Sequence, residues 1–592
     1  MQVKVNQNYF WSNVLIDQLV ECGVKYACVS PGSRSTPITY ALSQNKKIKS
    51  FVIIDERTSG FFALGVAKQT KSPVMIVTTS GTATAELYPA IIEAYQNRVP
   101  LIICTADRPA FLRNTGANQT INQDNIYKNH IRFFYDARLP NLTTKNIISL
   151  KENVIKAFKI SAIQNRGPVH LNFPFKKPLE PDSLTDSIDE SIITTALPNV
   201  YSPKDAQLNI ISSKNYFENI SSLFGKKYCG LITVGPGNFS DEFVNLLEIF
   251  SAKFALPIFA EASSGLAFKS NRITNLIVNF DAVLRTDSYS EFFSPKINFH
   301  FGRTVTSPRI DKLLIKSKCK RFIVNAFGDR FDPSEKSIII NTPEETFLQQ
   351  FVKSNFLFKD QNLKTLNQLK SIDTGIEKIK NNSLLNYDKL NEPAILLKVL
   401  EAIPPDSNLM VGNSVPIRDL DFFSSAISKN IIVYQNRGAS GIDGITSTAL
   451  GICALSKNPT YLVIGDLSFY YDINSLLIAK QYSLPLIIIL INNNGGSIFR
   501  FLPIAKHKSV FEKFFLTPTN LSFKKIAEAF NADYRELKSY KDVLNHIKVS
   551  SVRKTAAIYE IKTNSEYSLS IRKKYWAKID KFVSDYLRNY EA

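Results

Sequence analysis

Two oxygen-bearing residues near the end of the chain, Asp466 and Asn493, each follow an apolar run, and they lie 27 residues apart. The first run covers residues 461–464, and the second covers 486–491 and stops at the sequence NNNGG. The segment between the runs has helical spacing, which predicts a strand, helix and strand whose loops leave the same edge of a parallel sheet. Asp466 and Asn493 are therefore expected to be neighbours in space.

These residues suit a metal site. A carboxylate, an amide oxygen and a carbonyl exposed by a glycine turn are hard ligands that cover about half of an octahedron, and Mg²⁺ keeps its other positions for water and phosphate oxygens. The stretch therefore predicts a site that holds a diphosphate through a metal. The alternative is a capped helix between two strands with Asn-Gly turn chemistry.

The length and composition bound the fold class and the location. A chain of 592 residues is too long for one core and predicts about three domains. With 44% hydrophobic and 21% charged residues, it is typical of soluble globular proteins. The six cysteines form no CxxC pair, and no signal peptide or membrane span is evident, so a soluble cytoplasmic protein without a membrane partner is expected.

The domains are predicted from strands that alternate with helices, which favours an α/β fold. The boundaries are 1–182, 205–355 and 390–592, and residues 177–201, rich in Pro, Ser, Asp and Thr, are interpreted as a linker. In the middle domain the strand 230–234 runs into a GPG loop. This loop lacks the full dinucleotide fingerprint and is interpreted as structural.

The net charge of +20 raises the question of a nucleic acid partner. The lysines are spread over surface-type helices, without RGG tracts or aromatic RNA signatures. No nucleic acid partner is predicted, and the basic excess helps to attract anionic substrates.

Polar groups also follow the strands of the first domain. The loop PGSRSTP, residues 31–37, leaves Ser33 and Arg34 at one strand end, and Asp55 and Glu56 stand between another strand and a helix. The alternatives are a serine-capped helix and a carboxylate that complements a helix dipole. Strands that open at one edge predict a ligand crevice there.

Several motifs, taken together, closely resemble one family. They are SPGSRSTP, DERTSGFFALGVAK, TSGTATAELYPAIIEA, ADRP, GNSVPIRDLD, NRGASGIDGITSTALG and INNNGGSIFRFLP. This set resembles the MenD family, the 2-succinyl-5-enolpyruvyl-6-hydroxy-3-cyclohexene-1-carboxylate synthases of menaquinone biosynthesis, over all three domains. Pyruvate decarboxylases and acetolactate synthases share the metal stretch but lack the arginine-bearing motifs.

The resemblance implies three doubly wound parallel-sheet domains of the thiamine diphosphate enzyme type, which are pyrimidine-binding, central and diphosphate-binding. It implies thiamine diphosphate as the cofactor and Mg²⁺, or Mn²⁺ in its place, as the metal. Glu56 is the implied catalytic residue, which hydrogen-bonds the pyrimidine ring, and Ile442 and Ile498 contact the cofactor. The implied metal ligands are Asp466, Asn493 and Gly495. The implied assembly is a homo-oligomer, either a dimer or a tetramer, with active sites at the subunit interface.

The implied reaction is decarboxylation of 2-oxoglutarate and addition of the succinyl carbanion equivalent to isochorismate. These substrates carry four carboxylates between them, and arginine binds carboxylates with a charged, fork-shaped group. The implied substrate-binding residues are Ser33, Arg34, Arg108, Asn118, Gln119, Arg309, Ser414, Arg418, Arg437 and Phe499. One departure is Pro308, where some family members have lysine, so only Arg309 is carried over from that segment.

Two other functions are consistent with parts of the sequence. One is a different thiamine enzyme, either a simple 2-oxo acid decarboxylase or an acetohydroxyacid synthase. The other is a non-catalytic or nucleic-acid-binding protein that has kept the fold. The presence of Glu56, Asp466 and Asn493 favours a catalytic protein over the second alternative.

Overall fold

The fold is α/β throughout. The computed structural model describes residues 2–184, 186–202, 215–224, 229–287, 289–355, 361–549 and 555–591. It contains three six-stranded sheets, and all neighbouring strands within them are parallel. This confirms the predicted fold with three parallel-sheet domains. Within the described ranges, every helix is too short or too polar to span a bilayer.

The first sheet contains strands that are buried on both faces and therefore read as continuous apolar runs, such as VMIVT. The strands of this region are β1 (Gln2–Val5), β2 (Tyr26–Val29), β3 (Lys49–Val52), β4 (Val74–Thr78), β5 (Leu101–Asp107), β6 (Phe134–Asp136), β7 (Pro168–Pro174) and β8 (Asp186–Asp189). The helices are α1 (Gln7–Cys22), α2 (Thr36–Gln44), α3 (Glu56–Thr70), α4 (Thr82–Glu86), α5 (Tyr88–Gln96), α6 (Thr144–Lys159) and α7 (Glu190–Ala196).

The prediction that residues 177–201 form only a linker is wrong. Strand β8 pairs antiparallel with β1, and α7 follows it directly. The core of the first region is in contact with Ile192, Ala196 and Tyr201. Ile188, which lies in β8, is buried. The apolar residues at intervals among the polar ones supply this packing, so regular structure continues past residue 182. The predicted start of the middle domain, residue 205, lies outside the described residues.

The middle sheet has six parallel strands with helices between them. The strands are β9 (Gly230–Val234), β10 (Ile258–Ala260), β11 (Leu276–Ile277), β12 (Ile297–Phe301), β13 (Lys320–Asn325) and β14 (Ile338–Asn341). The helices of this part of the chain are α8 (Asn215–Phe224), α9 (Asp241–Phe254), α10 (Phe280–Val283), α11 (Tyr289–Phe292), α12 (Pro308–Lys316), α13 (Glu344–Lys353) and α14 (Gln361–Leu384).

The last sheet contains the two apolar runs of the predicted metal site as adjacent parallel strands. Its strands are β15 (Asn408–Val411), β16 (Ile432–Tyr434), β17 (Thr460–Gly465), β18 (Ile487–Asn492), β19 (Asp533–Glu536) and β20 (Ala557–Lys562). The helices are α15 (Glu392–Ala402), α16 (Val415–Phe423), α17 (Ile445–Cys453), α18 (Asp466–Tyr470), α19 (Leu476–Gln481), α20 (Lys508–Phe511), α21 (Phe523–Ala529), α22 (Tyr540–Val549) and α23 (Ser565–Glu591).

Strand order differs between the sheets. The first runs β3-β2-β4-β5-β7-β6 and the last runs β16-β15-β17-β18-β20-β19, which is the same order when each sheet's strands are counted along the chain. The middle sheet runs β11-β10-β9-β12-β13-β14. Ligands of such sheets bind where the order reverses, at the carboxyl ends of the strands. The reversal lies between β2 and β4, between β9 and β12, and between β15 and β17.

The chain forms two compact units. The first unit comprises residues 1–209, 436–457 and 468–486, and the second comprises 210–435, 458–467 and 487–592. Within the first unit, α3 packs so closely against α17 that the backbones of the two helices are in contact. A Cβ on Gly65 would lie 2.1 Å from the Thr448 oxygen, and one on Gly451 would lie 2.1 Å from the Phe62 oxygen. Glycine at both positions therefore permits this helix pair.

Candidate active site

Glu56 is the first residue of α3 in the first unit and is half-buried. The preceding residue, Asp55, caps the helix by accepting a hydrogen bond from the Thr58 backbone N–H at 2.9 Å. The other Asp55 oxygen accepts from Asn474 Nδ2 at 2.5 Å. Burial, with a smaller contribution from the nearby charges of Asp55 and Glu86, raises the pKa of Glu56. The raised pKa suits a carboxyl group that holds a proton between itself and a ring nitrogen.

Arg34 is buried near a second positive charge. Its Nη1 donates to the Phe175 carbonyl at 2.7 Å, and its Nε is buried with no hydrogen-bond partner among the described residues. Burial and then the charge of Arg108 lower the pKa of Arg34. A buried guanidinium that lacks one partner and lies near a like charge is suited to an anionic ligand.

Asn118 and Gln119 lie on an exposed loop that is tied to two strand ends. Arg108 donates to the Asn118 carbonyl from Nε at 3.3 Å and from Nη2 at 3.2 Å. Gln119 has a positive φ of 55° and donates from Nε2 to the Ser80 carbonyl at 3.1 Å. Ser33 is exposed, next to Arg34. The structure thus brings Arg108, Asn118 and Gln119 together at the carboxyl edge of the first sheet.

Arg437 and Ile442 lie on the loop before α17, in the first unit. Glu93 holds this loop, because its carboxylate accepts from the backbone N–H of Gly438 at 2.9 Å and of Ala439 at 2.7 Å. Arg437 is half-buried, and the apolar side chain of Ile442 is 38% exposed. An exposed apolar side chain here is suited to contact a ligand.

The predicted metal ligands Asp466, Asn493 and Gly495 all lie in the second unit. Asp466 begins α18 and is 2% exposed, and its Oδ2 accepts from the Gly495 N–H at 2.8 Å. Gly495 has a φ of 138°, and a Cβ there would lie 2.1 Å from the Leu516 oxygen. The turn after β18 therefore requires glycine at residue 495, and the predicted proximity of Asp466 to this turn is observed.

The oxygens of this group fit a hard divalent cation. Asn493 Oδ1 is buried and has no hydrogen-bond partner among the described residues. The Gly495 carbonyl accepts from the Ser497 N–H at 2.9 Å and has a second lone pair. Burial raises the pKa of Asp466 to about 6, with a further contribution from the charge of Glu392, and a cation would favour the ionised form. In the described part of the chain no three His, Cys, Asp or Glu side chains form a metal cluster.

Ser414 and Arg418 face each other at the start of α16. Ser414 follows β15 with a φ of 74°, and Arg418 Nη1 donates to its carbonyl at 2.7 Å. Ile498 and Phe499 are half-buried in the 3₁₀ helix Ser497–Phe501, and the Phe499 ring meets Phe515 at 5.6 Å. These residues lie in the segments that directly follow β15 and β18 in the last sheet.

Arg309 lies in a different setting. It stands in the first turn of α12 in the middle part of the chain, and its Nη1 is 3.6 Å from Asp281 Oδ1. Asp281 is itself 2% exposed and accepts from Ser307 Oγ at 2.5 Å. The side chain of Arg309 thus pairs with a buried carboxylate of α10.

Several residues that contact the candidate site were missed by sequence reasoning. Glu392 accepts a hydrogen bond from the Asn493 side chain and itself accepts one from Arg572. Glu93 holds the Arg437 loop, and Asn474 contacts Asp55. Each lies far in sequence from the residue that it helps to hold. Helical segments give no local signal for such roles, and only the tertiary structure brings these pairs together.

Comparisons with known proteins find related domains, sequences and a related fold. The model described as Thiamine pyrophosphate enzyme, N-terminal TPP binding domain, matches residues 11–126, and that of the C-terminal TPP binding domain matches 430–558. The structure resembles benzoylformate decarboxylase from Polynucleobacter necessarius with a TM-score of 0.66 and 13% identity, over 94% of this chain and 98% of that one. At this identity the likeness shows the fold alone.

Curated relatives extend along nearly the whole chain. A protein from Listeria innocua is 35% identical over 574 residues, which cover 95% of this chain and 96% of the relative. One from Oceanobacillus iheyensis is 34% identical over 96% and 97%, and one from Bacillus cytotoxicus is 32% identical over 98% of both. All three are named 2-succinyl-5-enolpyruvyl-6-hydroxy-3-cyclohexene-1-carboxylate synthase. The chain therefore belongs to the family of these synthases, which are thiamine diphosphate-dependent transferases.

Proposed function

We propose that this protein catalyses the decarboxylation of 2-oxoglutarate and the addition of the resulting succinyl unit to isochorismate, which gives 2-succinyl-5-enolpyruvyl-6-hydroxy-3-cyclohexene-1-carboxylate and CO₂ in menaquinone biosynthesis. The observation that carries the proposal is similarity to synthases of this name along 95% of the chain, which includes all three sheets. The candidate site residues of both units support it.

The proposed cofactor is thiamine diphosphate, held through Mg²⁺ or Mn²⁺. Asp466 Oδ1 or Oδ2, Asn493 Oδ1 and the Gly495 carbonyl would bind the metal, and the remaining ligands would be water and diphosphate oxygens. Ile442 and Ile498 would contact the cofactor rings. When bound, the thiazolium ring supplies an electron sink for loss of CO₂ from a 2-oxo acid.

Glu56 is the proposed catalytic residue. Its carboxyl group would hydrogen-bond the pyrimidine ring and hold a proton there, and its raised pKa supports this role. The cap by Asp55 and the contact of Asp55 with Asn474 fix the start of α3, so the Glu56 backbone is held in place. Positioning of this kind lowers the entropic cost of the proton transfer.

Arginines would bind the substrate carboxylates. Among the described residues, the buried Nε of Arg34 has no hydrogen-bond partner, and this atom and the nearby Arg108 support carboxylate binding in the first unit. Arg418 and Arg437 would contribute further forks, with Ser33, Asn118, Gln119 and Ser414 as polar neighbours and Phe499 as an apolar wall. Arg309 is the substrate-binding residue with the least support in this set, because its side chain pairs with Asp281.

The proposal includes the assembly and the organisation of the chain. The protein would act as a homo-oligomer with active sites at the subunit interface, and the six free cysteines are consistent with the cytoplasm as its location. The first, middle and last sheets would belong to the pyrimidine-binding, central and diphosphate-binding domains. No nucleic acid or membrane partner is proposed.

The test is a product assay. The purified protein is mixed with thiamine diphosphate, Mg²⁺ and 2-oxoglutarate, with and without isochorismate, and the products are identified by mass. The proposal expects a coupled product only when isochorismate is present. Release of succinic semialdehyde at the same rate with and without isochorismate would indicate a simple decarboxylase, and no turnover of 2-oxoglutarate would contradict the proposed reaction.

A further inference from the structure

The side-chain amide of Asn493 is held by two hydrogen-bond acceptors. Its Nδ2 donates to Glu392 Oε1 at 2.8 Å and to Ser497 Oγ at 2.7 Å. An amide nitrogen carries two protons, so both are used by these bonds. The orientation is also fixed electrostatically, because a rotated amide would direct its oxygen at the Glu392 carboxylate. Oδ1 is left as the buried atom without a partner among the described residues.

Glu392 is in turn fixed on several sides. It is the first residue of α15 and is 2% exposed, and its backbone N–H donates to Ser568 Oγ at 3.3 Å. Oε1 also accepts from Thr563 Oγ1 at 3.3 Å, while Oε2 accepts from Arg572 Nη2 at 2.8 Å. The carboxylate that orients Asn493 thus has one oxygen for the amide and one for an arginine.

Arg572 connects this carboxylate to a second buried one. It lies on α23 and is 4% exposed, and it donates from Nε to Asp419 Oδ1 at 3.2 Å and from Nη2 to Asp419 Oδ2 at 2.5 Å. Asp419 lies on α16, next to Arg418. The planar guanidinium has a rigid fork of donors, so it fixes the two carboxylates relative to each other.

We infer that Glu392 and Arg572 are positioning residues for the metal site, which lock the Asn493 amide with its oxygen toward the cation. The inference rests on the proposed function, because it takes Asn493 as a metal ligand. Without the lock the amide can rotate and present N–H groups to the cation, which repel it. The partners behind a metal ligand commonly change metal affinity about 10- to 100-fold when they are replaced.

The measurement is direct Mn²⁺ binding in the presence of thiamine diphosphate, with free Mn²⁺ followed by electron paramagnetic resonance. Glu392→Gln keeps the shape but loses the charge for Arg572, and we expect Mn²⁺ to bind about 10- to 100-fold more weakly. Arg572→Lys keeps the charge but not the fork, and roughly tenfold weaker binding is expected. Ser497→Ala removes the second acceptor and should weaken binding by a few-fold, about 3- to 10-fold.

A matched control exists in the same unit. Arg321 is buried between Asp332, at 2.9 Å, and Asp311, at 3.2 Å, in the middle part of the chain. Arg321→Lys should lower the unfolding temperature in the same way as Arg572→Lys, because both disrupt a buried ion pair. It should leave Mn²⁺ affinity unchanged, so the comparison separates positioning from general stability.

The outcomes distinguish the inference from the proposed function. If wild type binds Mn²⁺ but Glu392→Gln and Ser497→Ala bind it equally well, the network is only structural and the inference is wrong. If wild type itself binds no Mn²⁺ with thiamine diphosphate, the metal site and the inference both fail. If Glu392→Gln does not fold, Ser497→Ala decides, since it removes one hydroxyl and leaves the buried charges intact.

Discussion

The first and last sheets differ from the middle sheet at the point where strand order reverses. Between β2 and β4, and between β15 and β17, the loops carry Arg34 in the first sheet and Asp466 in the last. Between β9 and β12 the two loops bond to each other instead. Gly235 N donates to the Phe301 oxygen at 3.0 Å, and Arg303 N donates to the Pro236 oxygen at 3.0 Å.

Close backbone contact fills this part of the middle sheet. A Cβ on Gly235 would lie 1.8 Å from the Arg303 oxygen, and one on Gly302 would lie 2.8 Å from the Gly235 oxygen. The middle sheet has the strand order of dinucleotide-binding proteins, yet its GPG loop packs against its own neighbour. A strand order that can form a crevice is therefore not sufficient for a site, and the side chains at the crevice decide.

The largest expected effect is that of Glu56→Gln at the carboxyl edge of the first sheet. Loss of the acid should lower kcat for both decarboxylation and addition by more than about a thousandfold, which corresponds to about 4 kcal/mol. Thiamine diphosphate binding, measured by calorimetry, should be largely kept. Glu86→Gln, on an exposed residue that only raises the Glu56 pKa through its charge, is the control and should retain activity. Unchanged turnover in Glu56→Gln would refute its assigned role.

Arg34→Lys should have the next largest effect. The charge is kept, but the fork that pairs with a carboxylate is lost, so we expect KM for a substrate to rise roughly 10- to 100-fold with a smaller change in kcat. Steady-state kinetics with each substrate varied in turn checks this. The control is Arg132→Lys, since Arg132 binds the Tyr95 oxygen at 3.0 Å near the amino end of β7. An equal rise in KM for both variants would argue that Arg34 is structural.

Gly235→Ala tests the middle sheet, where stability rather than activity should change. The new Cβ would overlap the Arg303 oxygen and force the two loops apart, which costs about 1–3 kcal/mol. Urea unfolding should show this loss, while kcat of the folded protein stays unchanged. Gly328→Ala is the control, because its Cβ would meet no atom closer than 3.7 Å and would carry only the cost of a positive φ. A loss of kcat in Gly235→Ala would mean that this crevice takes part in the reaction.

The smallest expected effect on stability at neutral pH is that of replacing His300. This residue lies in β12 of the middle sheet, near the loops that bond to each other. Its Nε2 donates to the Arg303 oxygen at 3.0 Å, and its Nδ1 accepts from Thr233 Oγ1 at 3.0 Å. Burial lowers the pKa of His300 to about 4, against the opposing contribution of the Arg303 hydrogen bond. The folded protein thus keeps this ring neutral under conditions where the unfolded chain protonates it.

The sign of the pH dependence follows from this lowered pKa. The contribution of His300 to stability is complete above pH 6.5 and is lost as the pH falls toward 4, at up to about 1.4 kcal/mol per pH unit. In urea unfolding at pH 7.5 and pH 5, His300→Gln should lose less stability on acidification than wild type. His507→Gln, at an exposed histidine, should behave as wild type does. Parallel loss in wild type and His300→Gln would contradict the assignment.

The sequence predicted the central strands well and the edge strands poorly. Strand β9 has the predicted bounds. The apolar run 461–464 lies in β17, and the run 486–491 lies in β18 except for its first residue, because apolar runs identify strands that are buried on both faces. The edge strands β6, β16 and β19 are only three or four residues long, and β19 reads DYRE. Short strands with polar residues lack the periodicity that predicts a strand.

The candidate site was predictable where its residues follow strands directly. Asp466 and Gly495 follow adjacent strands and do meet, at 2.8 Å between the carboxylate and the N–H. Glu392 and Arg572 could not be found in this way, because each is distant in sequence from its partner. Glu392 lies 101 residues before Asn493, and Arg572 lies 180 residues after Glu392. The prediction of a linker for residues 177–201 was wrong because the segment is rich in polar residues and Pro. The few apolar residues among them, such as Ile192, pack against the core of the first region.

The packing of α3 against α17 has a consequence for biosynthesis. Residues Thr58 to Ala67 of α3 are all buried, and their cover includes a helix encoded nearly 400 positions later, after the whole middle sheet. At ribosomal speeds, those positions take on the order of 20 to 80 seconds to translate. During this time the apolar face of α3 that α17 covers in the folded protein is exposed. A nascent chain arrested before α17 should therefore be prone to aggregation and dependent on chaperones.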